Sequence, residues 1–123
     1  MKGDRDRLVS NAEARWPEFD SDAYHGNNYR LMRGDDRKML EIMVKWFAGS
    51  GARGCSGFDA GAGANLYPAL AMLPFCDKIT LLEFSLRNVE YLRRQVARLD
   101  ASWAPFWKVV RRHADVGDFA WAR

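Results

Sequence analysis

A glycine-rich segment, FDAGAGAN at residues 58–65, constrains the fold of this chain more than any other feature. It follows a short segment at residues 56–59 that reads as a weak strand, because Gly57 interrupts it. A helix is predicted next, over residues 65–73. Glycines between a strand and a helix permit positive φ and let a nucleotide or nucleoside lie against free backbone N–H groups. A turn with only a structural role is the alternative.

A second strand is predicted at residues 79–82, where the continuous apolar run ITLL is typical of a strand buried on both faces. Glu83 follows it, 22 residues after Gly61. An acidic residue at this distance can accept hydrogen bonds from both hydroxyls of a ribose. The third glycine of the dinucleotide fingerprint is absent, which favours a nucleoside cofactor over NAD. Two alternatives remain: a Glu83 with only a surface role, and a fragment of a nucleotide-dependent oxidoreductase.

Residues 1–34 are polar with scattered aromatics and predict an irregular arm, with one short helix near residues 5–15. A helix then opens at the acidic pair Asp35–Asp36, which suits the positive end of the helix dipole, and stops at residues 49–51. Its apolar residues recur at helical spacing and predict one buried face: Met39, Leu40, Met43, Trp46 and Phe47.

Two further helices follow the second strand. The first begins at Ser85 or Asn88, and the second is capped by Ser102. Helix–strand–helix–strand–helix order predicts an α/β fold with a right-handed parallel crossover. The apolar faces of these helices are expected to be Val89, Leu92, Val96 and Leu99 in the first, and Trp103, Phe106, Trp107 and Val110 in the second.

Composition narrows the class of protein. The net charge of +3 is mild, which disfavours nucleic-acid binding, and no apolar run approaches the ~18–20 residues that a membrane span needs. No secretory signal is recognised at the N-terminus, so a cytoplasmic location is expected. The cysteines lack metal-ligand spacing and are expected to be small buried residues, while both histidines are expected at the surface: Cys55, Cys76, His25 and His113.

Three blocks together resemble the nicotinamide and phenylethanolamine N-methyltransferase family. They are YHGNNY with RGD (24–29 and 33–35), FDAGAGANLY (58–67) and ITLLEFSLRN (79–88), in the family's order and at similar spacing. The resemblance covers roughly residues 17–107, which is less than half of a family member. It implies a Rossmann-like class I fold, incomplete here: residues 1–34 as an arm or lid, and 35–123 as a partial cofactor-binding domain.

The resemblance also implies S-adenosylmethionine as cofactor and a small-molecule methyl acceptor, with transfer to nitrogen favoured. The glycine turn would line the methionine and ribose portions, Glu83 would bind the ribose hydroxyls, and two tyrosines of the arm would cover the cofactor. The family's catalytic residues lie in its C-terminal half, so none is assigned here. The implied cofactor-binding residues are Tyr24, Tyr29, Asp59, Gly61, Ala62, Gly63, Asn65, Tyr67, Glu83 and Asn88.

The sequence departs from the family pattern at four of these or adjoining positions. Ala62 replaces a small hydroxyl residue, Ala64 a proline, Asn65 a threonine and Glu83 an aspartate. Only the last keeps its charge, so polar contacts at the others could be weakened or redirected.

Only two strands are evident, so the chain is expected to be a fragment of a longer enzyme, one half of a split enzyme, or a non-catalytic interaction module with a methyltransferase-like fold. The first strand would then present an open edge, which favours pairing with another chain. A homodimer, or a complex with the missing C-terminal half, is therefore expected. The helix at residues 103–107 has no evident sheet to cover and is the expected exchanged element.

Overall fold

The computed structural model describes residues 20–29 and 31–122. Two strands, β1 (Cys55–Ala60) and β2 (Cys76–Leu82), form a parallel pair in which Gly57 lies opposite Ile79 and Ala60 opposite Leu82. Six α-helices accompany them within the described ranges: α1 (Ser21–Asn28), α2 (Gly34–Ser50), α3 (Tyr67–Met72), α4 (Leu86–Ala97), α5 (Ala104–Arg111) and α6 (Phe119–Ala122). The parallel pair joined through α3 confirms the α/β expectation.

The core lies between the helices and one face of the sheet. Helix α5 packs against α2 and α3, and its predicted apolar face is fully buried. This helix was expected to have no evident sheet to cover, and within the described residues it packs on the helices α2 and α3. Helix α6, beyond the part of the sequence that could be interpreted, stacks Trp121 on Trp107 with ring centroids 5.7 Å apart.

The buried face of α2 differs from the predicted one. Leu40 and Val44 are fully buried, whereas Met39 is 50% exposed and Trp46 is 67% exposed. Leu40 was correctly predicted, and Met43 and Phe47 pack partly buried against the core as expected. Helical periodicity therefore identified the helix and part of its face, but it missed Val44 because α2 contacts α3 and α5 along a narrow stripe.

The contact face of α4 agrees with the predicted face only in part: Leu92, and Leu99 just after the helix, are buried as expected. Asn88, Tyr91 and Leu92 are buried, while Val96 is 64% exposed. This face is partly polar because α1 packs against it and supplies hydrogen-bonding groups. Apolar periodicity cannot reveal such a face.

The prediction that β2 is buried on both faces is wrong. Paired residues of parallel strands project to the same side, so Phe58 shares a face with Thr80, and Ala60 with Leu82. Phe58 is 65% exposed, and no described element covers this outer face. Apolar residues in β2 therefore indicated a strand but not its burial.

The inner face of the sheet contacts α3 at very short range. A Cβ added to Gly57 would lie 2.8 Å from Sδ of Met72 and 3.1 Å from Sγ of Cys76. Gly57, which weakened the prediction of β1 as a strand, allows α3 to approach that strand closely. Cys55 is exposed and Cys76 half-buried, so the expectation that both are buried residues is wrong.

The described part of the arm is helical and docked, not irregular. Asp20 caps α1 by accepting a hydrogen bond from the N–H of Ala23 at 3.0 Å. His25 is buried, so its predicted surface position is wrong. Its Nδ1 contacts the hydroxyl of Tyr91, and its Nε2 lies 2.8 Å from Oγ of Ser102. The helix predicted near residues 5–15 lies outside the described residues.

Within residues 20–29 and 31–122, no helix is both long enough and apolar enough to cross a bilayer. The same ranges contain no group of three or more His, Cys, Asp or Glu side chains that could hold a metal ion.

Candidate functional site

The glycine turn begins where β1 ends and has the conformation that its sequence requires. Gly61 and Gly63 have φ of 69° and 62°, in the left-handed region that favours glycine. A Cβ added to either residue would meet no atom within 4 Å, so both Cα atoms face open space. The N–H groups of Gly61 and Ala62 donate to the carbonyl of Leu82 at 2.8 and 3.1 Å, which fixes the turn to the end of β2.

Glu83 lies against the same turn. Its Oε2 accepts a hydrogen bond from the N–H of Gly63 at 2.6 Å, and its Oε1 accepts one from the N–H of Ser85 at 3.0 Å. An ionised carboxylate has about four acceptor positions, so these two bonds leave one on each oxygen. The structure therefore brings together the two features that the sequence separates by 22 residues.

Asp59, the last but one residue of β1, is close enough to interact electrostatically with Glu83. Burial raises the pKa of Asp59, and the negative charge of Glu83 raises it further. Its Oδ2 is buried and has no hydrogen-bond partner among the described residues. The end of β1 thus holds one carboxyl oxygen that is removed from water and has no donor among the described residues.

The three predicted tyrosines gather in one aromatic cluster. Tyr29 is buried, with its ring centroid 5.6 Å from that of Tyr24 and 5.9 Å from that of Tyr67. Trp103 and Phe106 complete its surroundings at 5.5 and 6.4 Å. Burial, and then the hydrogen bond with Tyr24, raise the pKa of Tyr29 above its usual range, so its hydroxyl stays protonated. In this structure Tyr29 is a packing residue joining the arm to α5.

Asn65 and Tyr67 form the link between the glycine turn and this cluster. The side chain of Asn65 accepts a hydrogen bond from the N–H of Tyr67 at 3.1 Å, at the start of α3. The Tyr67 ring stacks on Phe106 with centroids 5.9 Å apart. Burial raises the pKa of Tyr67, with a further contribution from the negative charge of Asp36.

Asn88 is buried on α4, where its Oδ1 accepts a hydrogen bond from Oγ of Ser21. Its amide therefore ties the arm to α4. The predicted residues thus fall into three places: the turn with its two carboxyl groups, the tyrosine cluster with Asn65, and the α1–α4 contact at Asn88.

Sequence reasoning missed two contributors near these residues. Asp36, interpreted only as a helix-opening residue, adds negative charge near Tyr29 and Tyr67. His25 positions the helix that carries Tyr24, through its contacts with Tyr91 and Ser102. The capping residue Asp20, followed by an acidic first turn, was the available signal for that helix.

Comparison of the chain with protein-family models, with curated proteins and with solved structures found no match.

Proposed function

We propose that this chain is the S-adenosylmethionine-binding part of a small-molecule methyltransferase acting on nitrogen. One observation carries the proposal: the carboxylate of Glu83 bonds to the N–H of Gly63, at the carboxyl ends of two adjacent parallel strands. In open α/β sheets this edge is where nucleosides and nucleotides bind. The resemblance of residues 24–35, 58–67 and 79–88 to the family supports the choice of cofactor.

The polar groups at the turn suit a nucleoside. The free acceptor position on each oxygen of Glu83 matches the two hydroxyls of a ribose. The open space beside Gly61 and Gly63 gives the sugar and the methionine chain room to approach the backbone. In this proposal β1, α3 and β2 form the first unit of a Rossmann-like class I domain, and residues 1–34 serve as its arm.

The chemistry would be displacement of the sulfonium methyl by a nucleophile of the acceptor. A neutral amine or pyridine nitrogen needs little proton transfer, so the protein mainly aligns the reactants and excludes water. The described residues that would take part bind the cofactor. The proposal assigns no catalytic base.

A non-catalytic interaction module with the same fold is the second candidate. Among the described residues nothing covers the outer face of the sheet, where Phe58 is 65% exposed and Leu82 49% exposed. This favours the second candidate, because such a face is available to another polypeptide. Both candidates can include a homodimer or a complex with a further methyltransferase segment.

Calorimetric titration of the chain with S-adenosylhomocysteine tests the proposal. We expect binding that Glu83→Ala weakens by about 1.5–3 kcal/mol, the contribution of hydrogen bonds to a charged group. Glu90→Ala, which removes an exposed carboxylate from α4, is the matched control and should leave affinity unchanged. NADH should not compete.

Three outcomes contradict parts of this assignment. Absence of binding, with the chain folded by circular dichroism, would favour the interaction module. Equal affinities for the Glu83 and Glu90 variants would remove Glu83 from the site. Competition by NADH would favour the oxidoreductase alternative.

A further inference from the structure

Two cysteines face each other at the ends of the strands remote from the glycine turn. Cys55 is the first residue of β1 and Cys76 the first of β2, and the strand register pairs them directly. Their Sγ atoms lie 3.4 Å apart. Neighbouring strands are ~4.8 Å apart, which lies within the ~4.4–6.8 Å that a disulfide spans between Cα atoms. The register is irregular between Cys55 and Ser56, so the sulfur–sulfur contact is the observation that brings this pair within reach of a disulfide. A bond between these sulfurs requires the side chains to approach further.

We propose that Cys55 and Cys76 are an oxidation site, at which a small-molecule disulfide converts the two thiols into an intramolecular disulfide joining β1 to β2. This inference is independent of the cofactor proposed above. Thiol pairs that touch in the reduced state are prepared for this reaction, since the second step is intramolecular.

The exchange balances in two steps. The Cys55 thiolate attacks the reagent disulfide, forming a mixed disulfide and releasing one small thiol. The Cys76 thiolate then attacks the Cys55 sulfur, forming the protein disulfide and releasing the second small thiol. Two protein thiols are oxidised, the reagent is reduced to two thiols, and the two protons given up by the protein end on those thiols.

The surroundings of the two sulfurs assign the order of attack. Cys55 is exposed, so a reagent can reach it. Cys76 is half-buried, and burial, with a further contribution from the hydrogen bond to Cys55, raises its pKa to about 11. Little of the Cys76 thiol is ionised at neutral pH, so the second step accelerates as pH rises. The small thiol of the second step leaves from the sulfur of Cys55, which is exposed.

Formation of this bond would close the segment between Cys55 and Cys76, which contains β1, the glycine turn and α3. A cross-link over a loop of this length reduces the conformational freedom of the unfolded chain. The oxidised protein should therefore be more stable than the reduced one, with the strands held at the edge opposite the turn.

Treatment of the purified chain with oxidised glutathione, followed by intact mass measurement without reductant, tests the proposal. We expect a monomer that has lost two hydrogen atoms and carries no glutathione. Its melting temperature should rise by on the order of 10 °C and return to the starting value with dithiothreitol. The rate of ring closure should increase with pH between 7 and 9.

Cys55→Ser and Cys76→Ser are the matched variants, because each leaves one thiol and has no partner for it in the pair. Cys76→Ser should retain one glutathione on the exposed Cys55, whereas Cys55→Ser should react more slowly because only the half-buried Cys76 is left. Neither variant should show a comparable rise in melting temperature. A wild-type chain that retains glutathione at equilibrium, or that forms cross-linked dimers in dilute solution, would overturn the proposal. An intramolecular disulfide that leaves the melting temperature unchanged would overturn its stabilising role.

Discussion

The carboxylate of Glu83 lies 2.6 Å from the backbone nitrogen of Gly63, and this one contact joins the glycine turn to the end of the second strand. A second bond, from the N–H of Ser85, holds the other oxygen at 3.0 Å. The same side chain thus stabilises the turn itself and, in the proposed function, would bind a ribose. Its removal should be visible in stability before any ligand is added.

Glu83→Gln should lower the free energy of unfolding by about 1–3 kcal/mol. Both oxygens of Glu83 accept a backbone N–H, and the amide N–H₂ of glutamine, itself a donor, would replace one of these acceptors. Urea unfolding monitored by circular dichroism measures the change. Glu90→Gln provides the control at an exposed position of α4. Equal stability of the two variants would mean that Glu83 does not hold the turn.

Glycine substitutions should have opposite effects at two positions that both have open space around the Cβ. Gly61→Ala should destabilise the chain by about 1–2 kcal/mol, because φ of 69° is unfavourable for a residue with a Cβ. Gly49→Ala, near the end of α2, should stabilise it by about 0.5–1 kcal/mol through helix propensity. Thermal unfolding of both variants checks the contrast. The same sign for both would argue against a left-handed Gly61.

Asp59→Asn should raise the melting temperature at neutral pH by a few degrees. Burial raises the pKa of Asp59 from its ordinary value of 3.8, so the folded chain binds the proton more tightly than the unfolded chain. Its contribution to the free energy of unfolding therefore falls as pH rises from about 4 through the raised pKa, and stays reduced above it. The advantage of the variant should shrink towards pH 4.

Melting curves of the Asp59→Asn variant from pH 4 to 8 measure this dependence. Asp115→Asn, at an exposed position, is the control and should show no such trend. An advantage that is constant with pH would show that the carboxyl group is not the cause.

The contact between His25 and Tyr91 should couple the arm to α4. His25→Ala and Tyr91→Phe are each expected to lower the free energy of unfolding. The loss in the double variant should be smaller than the sum of the two single losses by about 0.5–3 kcal/mol. Strict additivity would contradict the contact. Hydrogen exchange at residues 21–28 provides a local readout, since loss of the contact should speed exchange in α1.

Self-association should depend on the uncovered face of the sheet. Burial of apolar surface contributes roughly 25 cal/mol per Å², and two copies carry the same face and the same unpaired strand edges. We expect light scattering to show a mass that rises with concentration, and Phe58→Lys to reduce it. Lys substitution at Leu31, 81% exposed and remote from the sheet in sequence, is the control. A wild-type monomer at all concentrations would contradict this expectation.

The sequence predicted the parts of the fold whose signals are local. The boundaries of α2, the crossover between the strands and the left-handed glycines follow from residues adjacent in the chain. Trp103 and Phe106 were correctly placed in the core, whereas Trp46, a large aromatic at the same kind of spacing in α2, is exposed. Aromatic periodicity therefore identifies an apolar stripe but does not show which of its members is covered.

The contacts of α1 could not be predicted in this way. Its sequence, SDAYHGNN, is polar, and its helix depends on partners more than 60 residues away: Asn88 for Ser21, and Tyr91 and Ser102 for His25. A histidine or asparagine carries no sign of whether it faces water or a buried donor. The prediction that β2 is buried on both faces was wrong because apolar residues do not reveal which face of a strand has a neighbouring layer.

The close packing of Gly57 has a consequence for how this chain can vary. With Sδ of Met72 only 2.8 Å from the position of an added Cβ, even alanine would require the Met72 side chain or α3 itself to move away from β1. That helix begins just after the glycine turn and carries Tyr67, so a displacement of the helix would also displace the turn. The lack of a Cβ at Gly57 therefore determines how closely the strand and the helix pack beside the turn. A variant that keeps this geometry must keep glycine at position 57 or carry a shorter side chain at position 72.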